Sequence, residues 1–228
     1  MKSDNKHMMP EERAQKIRQW HKDALAHHTR QKTITTHVLG RMLEVPADVF
    51  DPKPVGLWQS VLDEVKESDR VLDMGTGSGV NGILAASKSS DVVAVDISPS
   101  SVECAIHNAE LNSVASNIDI KVSDLFEEVE GKFDLIMFDP PFRWFKPRNM
   151  QERSTADENY QTLTAFFAQV NDYLNGNGRV LLFFGTSGDI NYLNQQAEKA
   201  GLTKETINHA EHEKDGLHVE YFTFRLTQ

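Results

Sequence analysis

Four aspartates fall at the ends of apolar runs: Asp73 in RVLDM, Asp96 in VVAVD, Asp124 in KVSDLF and Asp139 in FDLIMFD. An ionised carboxylate offers only hydrogen-bond acceptors. Each therefore suits a donor: an ammonium, a pair of hydroxyls or an amino group. Asp73 leads into Gly75, Gly77 and Gly79, and glycines at such a turn let a ligand approach the backbone closely. Position 80 is Val, so the spacing is G-x-G-x-G and not the G-x-G-x-x-G of dinucleotide-binding turns. A carboxylate at the entry would repel a pyrophosphate and attract an ammonium or a sulfonium-bearing amino acid. Asp96 follows Gly75 by 21 residues, where an acid can accept both hydroxyls of a ribose. The position of Asp124 can meet an adenine amino group. Singly, each acid could cap a helix or turn. Three at successive strand ends point instead to a ligand at the carboxyl edge of a sheet.

Asp139 opens the tetrapeptide Asp139-Pro140-Pro141-Phe142. Proline fixes φ and has no N–H, so the two prolines hold a rigid extended turn. The Pro140 carbonyl is then free to face a ligand beside the Asp139 carboxylate. Two acceptors converging on one spot suit an N–H2 group, and Phe142 gives a planar group a face to stack on. The nitrogen of such a group is conjugated and poorly nucleophilic. Hydrogen bonds that draw it toward tetrahedral geometry localise its lone pair. Downstream, Arg143, Lys146, Arg148 and Arg153 interleave with Trp144 and Phe145. That stretch reads either as a lid over an acidic or planar acceptor or as a solvated loop with buried aromatics.

These residues need a frame that sets strand ends side by side. From Arg70 onward the pattern alternates: strands RVLDM, VVAVD, IDIKV, FDLIMFD and RVLLFFG, with helices between them. This predicts a parallel sheet with helices on both faces. The last two strands, LTKETINHAE and LHVEYFTFRL, are separated by the turn-like EKDG, which predicts an antiparallel edge hairpin. Residues 10–30 read as a helix, with Pro10 in the first turn and Glu11 and Glu12 where the dipole favours acids. KTITTHVLGRMLEV could hold short strands. Pro52 and Pro54 exclude regular pairing, and a helix is expected from about Leu57. Two segments follow: 1–50, a helical extension covering the substrate side, and 51–228, the ligand-binding domain.

The motifs VLDMGTGSG, Asp96, SDLF and FDPPF come in an order that resembles the class I S-adenosyl-L-methionine-dependent methyltransferases, over residues 50–228. The resemblance narrows to the small-domain type with an (Asp/Asn)-Pro-Pro-(Tyr/Phe) motif. It implies an α/β, Rossmann-like, seven-stranded, mostly parallel sheet with an antiparallel last strand. It also implies S-adenosyl-L-methionine as cofactor. Asp73, Gly75, Thr76, Gly77 and Gly79 would face the methionine part, Asp96 and Ile97 the ribose, and Asp124 with Leu125 the adenine. Asp139 would border the cofactor too, and Asp139, Pro140 and Phe142 would handle the acceptor. Family acceptors are exocyclic amines of nucleobases or the side-chain amide of glutamine, so the acceptor is a small molecule, a protein glutamine or a nucleobase. The glutamine branch has Asn and Tyr where this chain has Asp139 and Phe142. It also has Thr and Glu where this chain has Gly56 and Leu57. Methylation at oxygen or carbon, and a non-catalytic cofactor-binding subunit, are the other readings; the intact DPPF argues against the last.

Bulk properties narrow the field. The chain has 228 residues, 39% of them hydrophobic, enough for one sizeable core. No run reaches the ~18 apolar residues of a membrane span, and the polar N-terminus MKSDNKHMMPEER lacks a signal core, so a cytoplasmic protein is expected. The net charge is -10. Residues 1–50 carry nine Lys and Arg against six Asp and Glu, and the remainder fifteen against twenty-eight. So acidic a body does not suit extensive nucleic-acid binding. The lone Cys104 sits in a helical pattern and reads as a small buried apolar residue. The histidines show no metal-ligand spacing; those on the polar helix read as surface residues.

Overall fold

Alternation of strand and helix after Arg70 builds a seven-stranded sheet in the computed structural model, which describes residues 9–27, 32–52, 57–214 and 217–228. The sheet strands are β3 (Arg70–Met74), β4 (Asp91–Asp96), β5 (Ile118–Val122), β6 (Phe133–Phe138), β7 (Leu174–Gly185), β8 (Thr203–Lys214) and β9 (Leu217–Thr227). Their spatial order is β5-β4-β3-β6-β7-β9-β8. The first five pair in parallel, and β9 is antiparallel to both of its neighbours. The expected reversed last strand is present, inserted between β7 and β8. The turn expected between β8 and β9 includes Asp215 and Gly216, which lie outside the described residues, as do Pro54 and Gly56.

Side chains alternate across a strand, and the central strands are apolar on both faces. Leu72, Met74, Ile136, Phe138, Val180, Leu182 and Phe184 face one core; Val71, Leu135, Met137, Leu181 and Phe183 face the other. Helices α1 (Glu11–His27), α6 (Gln161–Tyr173) and α7 (Ile190–Lys199) cover the first face through Ile17, Phe166 and Leu193. Helices α2 (Gln59–Glu64), α3 (Val80–Ala86) and α4 (Pro99–Leu111) cover the second through Val61, Leu84 and Ala109. A four-residue helix, α5 (Met150–Arg153), lies in the loop after β6. Cys104 is buried, as expected, against the Glu44 carbonyl.

The N-terminal fifty residues depart from a single helical cover. They hold α1 and an antiparallel hairpin, β1 (Ile34–Val38) with β2 (Arg41–Val45). The two pieces go to opposite faces of the sheet. Met9, Ala14 and Ile17 share the first core with Trp144. Val38, Leu43 and Val45 join the second, where the hairpin is clipped to α4: the amide of Glu44 donates to Asn108 Oδ1, and Asn108 Nδ2 donates back to the Glu44 carbonyl. Only α1 reaches the acceptor-side loop. The short strands read from KTITTHVLGRMLEV are present as this hairpin, whose apolar residues Val38, Leu43 and Val45 are buried by tertiary docking and not by a local period.

Candidate functional site

Strands β3 and β6 are neighbours, with Met74 opposite Phe138. From β3 the chain proceeds outward through β4 and β5; from β6 it proceeds the other way through β7. A crevice opens at the carboxyl ends of a sheet where the winding direction switches. The residues that follow the paired ends, Gly75 and Asp139, are both solvent-exposed, while Asp73, Met74 and Phe138 around them are buried.

One wall of the crevice is the glycine turn. Gly75, Gly77 and Gly79 have φ of 69°, 56° and 87°, a region that other L-residues rarely adopt. Asp73 is only 1% exposed. Its Oδ2 accepts from Thr76 Oγ1 at 2.6 Å and from the Gly82 amide at 2.8 Å. A Cβ at position 82 would lie 3.0 Å from that oxygen and 2.9 Å from Ile118 Cδ1, so the short bond requires glycine. Asp73 was expected to meet an ammonium. The structure gives it a prior task, tying the turn to α3, and leaves Oδ1 without a hydrogen bond. Burial raises its pKa to about 6, against the lowering effect of those two bonds.

The next strand ends continue the wall. Asp96 Oδ2 accepts from the Gly77 amide at 2.9 Å, and Oδ1 accepts from the Ser98 amide at 2.9 Å. Burial raises its pKa, with the backbone bonds opposing. Each oxygen keeps a lone pair for another donor. Ile97 and Ser98 lead into α4, whose N-cap is Ser98. The Ser123 amide donates to the Asp96 carbonyl, which sets Asp124, exposed, and Leu125, at φ 50°, beside the end of β4. The cofactor-side residues of the sequence reading thus share one edge.

The facing wall begins with the tetrapeptide. Asp139 is solvent-exposed at the end of β6, yet desolvation by the protein around it raises its pKa to about 7; the Asp73 charge adds to the shift. Pro140 is buried and Phe142 half-buried, its ring 5.2 Å from Phe184 and 6.3 Å from Tyr221. Tyr221 feels both Asp139 and Arg143 electrostatically. Part of Phe142 is therefore committed to packing.

The loop after the tetrapeptide is anchored and not loosely solvated. The Arg143 amide donates to the Thr155 carbonyl and the Asp157 amide to the Arg143 carbonyl; Trp144, Glu152, Ala156 and Asp157 are buried. Helix α1 lies against it. Arg143 Nη1 is 3.0 Å from His21 Nδ1, its guanidinium is 4.4 Å from the centre of the Trp20 ring, and His21 packs on Phe145. His21, expected at the surface, is 7% exposed; burial and then Arg143 lower its pKa to about 4, so it is neutral at pH 7 and accepts from Arg143. Arg13 Nη2 donates to the Thr186 carbonyl just past β7, holding α1 over the same end of the sheet.

A family model described as methyltransferase small domain matches residues 57–195. The chain belongs to the methyltransferase small-domain family. This S-adenosylmethionine-dependent family accounts for the sheet order, the reversed last strand and the glycine turn together. A Methanocaldococcus jannaschii protein named as a protein N5-glutamine methyltransferase is 42% identical over 106 residues, which is 45% of this chain and 52% of that one. The release factor glutamine methyltransferase of Cereibacter sphaeroides is 36% identical over 107 residues, 45% of this chain and 38% of its own. The chain spans about half the length, or less, of these curated relatives. Among solved structures, the M. jannaschii tRNA m1G37 methyltransferase superposes with a TM-score of 0.63 at 19% identity, over 87% of this chain and 58% of that one, a likeness of fold.

Sequence reasoning did not place His21, Trp20 or Tyr221 beside these residues. His21 lies 122 residues from Arg143, and no local pattern links them. The one usable signal was the histidine and tryptophan on an otherwise polar helix.

Proposed function

We propose that the protein is an N-methyltransferase that moves a methyl group from S-adenosylmethionine to a planar amide or aryl-amine nitrogen of an acceptor, in the cytoplasm. The observation that carries the reading is the pair of exposed strand-end residues, Gly75 and Asp139, facing one crevice from adjacent strands. The cofactor supplies an electrophilic methyl on a sulfonium. Gly75, Thr76, Gly77 and Gly79 form the close-approach wall for its amino-acid part, with Asp73 Oδ1 the remaining acceptor for an ammonium. Asp96 accepts from the ribose, and Asp124 with Leu125 borders the adenine. Ile97 lines the same edge.

Asp139 and the Pro140 carbonyl hold the two N–H bonds of the acceptor, and Phe142 gives it a face. Alignment is the main contribution, since in-line displacement gains most from positioning. A carboxylate with a pKa near 7 also takes the proton that the nitrogen releases. Helix α1 closes the acceptor side and limits water. The two relatives' names favour an amide nitrogen; Asp139 and Phe142 replacing the branch's Asn and Tyr favour a different acceptor from theirs.

Two measurements test the reading. Calorimetry should show binding of S-adenosylmethionine and S-adenosylhomocysteine and none of NAD or FAD; tight NAD binding with no response to S-adenosylhomocysteine would sink it. Mass spectrometry of extracts given methyl-labelled cofactor, with and without the protein, should reveal the acceptor as a labelled species.

A further inference from the structure

The loop after the tetrapeptide carries four basic side chains, and three have carboxylate neighbours. Arg148 Nε is 2.6 Å from Glu152 Oε1, Lys146 Nζ is 3.9 Å from Glu158 Oε2, and Arg153 acts on Asp157. Arg143 differs. Among the described residues its guanidinium meets the neutral His21 ring, the face of Trp20 and, electrostatically, Tyr221, and its Nε is buried with no hydrogen-bond partner. Its pKa falls only to about 10, so it is charged at pH 7. An enclosed guanidinium without a counter-ion is unfavourable by itself. Its fork of donors matches a carboxylate. It stands four residues from Asp139 and shares Tyr221 with it as an electrostatic neighbour.

We propose that Arg143 is the acceptor's anion receptor, so that the acceptor is a small planar amine or amide that carries a carboxylate. The proposal rests on the N-methyltransferase reading and names its substrate class. One guanidinium matches one negative charge, which favours a monoanionic carboxylate over a phosphate dianion. Helix α1, held by Arg13 on Thr186 and by His21 on Arg143, closes over this spot, which favours a small acceptor over a polymer. The net charge of -10 repels anions from the rest of the surface and makes an uncompensated cation at this position selective.

The probes are 4-aminobenzoate and 4-aminobenzamide, planar amines of equal size that differ in charge. Titrations are run with the protein saturated in S-adenosylhomocysteine and again without it. Failure of S-adenosylhomocysteine to bind tells against the methyltransferase reading, while the preference between probes is still read. Wild-type protein should bind the benzoate on the order of tenfold more tightly than the benzamide. Arg143→Met should abolish that preference while leaving cofactor-product affinity unchanged. Arg143→Lys should keep part of the preference. Equal or absent binding of the two probes by wild-type protein overturns the proposal. So does an Arg143→Met variant that keeps the preference, since Arg143 would then serve only as a clamp for α1.

Discussion

The two walls of the crevice are finished to different degrees. On the glycine-turn wall, Asp73 and Asp96 each hold two hydrogen bonds from the turn, its hydroxyl or the following helix. They are organised before any ligand arrives. On the opposite wall, among the described residues, Asp139 has no hydrogen bond and Arg143 no carboxylate partner. Groups left in that state are unfavourable for folding and are retained where a ligand completes them. A wall that is satisfied in advance suits an invariant ligand, the cofactor. A wall of unmet charges suits a partner whose own groups decide whether it is accepted.

The largest expected effect breaks the unfinished wall. Asp139→Ala should lower turnover by on the order of 100-fold or more, the size seen for one directed hydrogen-bonding group, with little change in cofactor affinity. Asp139→Asn should be milder, since its amide oxygen still accepts. Single-turnover rates with the identified acceptor check both; full activity in Asp139→Ala would leave the tetrapeptide as a structural turn. Asp96→Ala tests the finished wall. It should weaken cofactor binding by about 1.5–3 kcal/mol while sparing the methyl-transfer step at saturation, as read by calorimetry alongside kinetics. Unchanged affinity would remove Asp96 from the ribose.

A pH series separates the walls by titration. Asp139 must be ionised to take the proton that the acceptor nitrogen releases, and its pKa is near 7, so the rate should fall as pH drops below 7. At one unit below, about a tenth of the carboxylate remains ionised. Stability should run the opposite way. A carboxylate whose folded pKa is raised binds its proton more tightly in the folded state, so stability is lost as pH rises from about 4 to 7. Asp139→Asn should therefore melt higher than wild type at pH 8 and not at pH 4; calorimetric melting at both pH values decides it. The smallest effect concerns Phe142. Phe142→Tyr should be nearly neutral, whereas Phe142→Ala should mainly raise the acceptor's KM.

The same contrast explains what could be read from sequence. Asp73, Thr76 and Gly82 interact within nine residues, and Asp96 reaches Gly77 across 19, so a strand–turn–helix pattern already implies their meeting. The sheet was legible for a similar reason: runs apolar on both faces have to be central strands. The acceptor wall joins Arg143 to His21 across 122 residues and Arg13 to Thr186 across 173. Nothing in the period of α1 says which loop it covers, and the hairpin at 34–45 was offered only as short strands because its docking on α4 depends on Asn108 and Asn112, which look like ordinary helix-surface amides.

The placement of β9 has a consequence for how the chain is made. It is made after β8, yet it lies between β7 and β8, and among the described strands β8 pairs with the sheet through β9 alone. Until β9 emerges from the ribosome, β8 has no berth and the edge of β7 stands open, carrying Val180, Leu182 and Phe184. An open apolar edge is a template for pairing with another nascent chain. Loss of β9 would therefore unseat two strands at once, and its pairs at Thr227, with Arg179 on one side and Thr203 on the other, tie both neighbours to one residue.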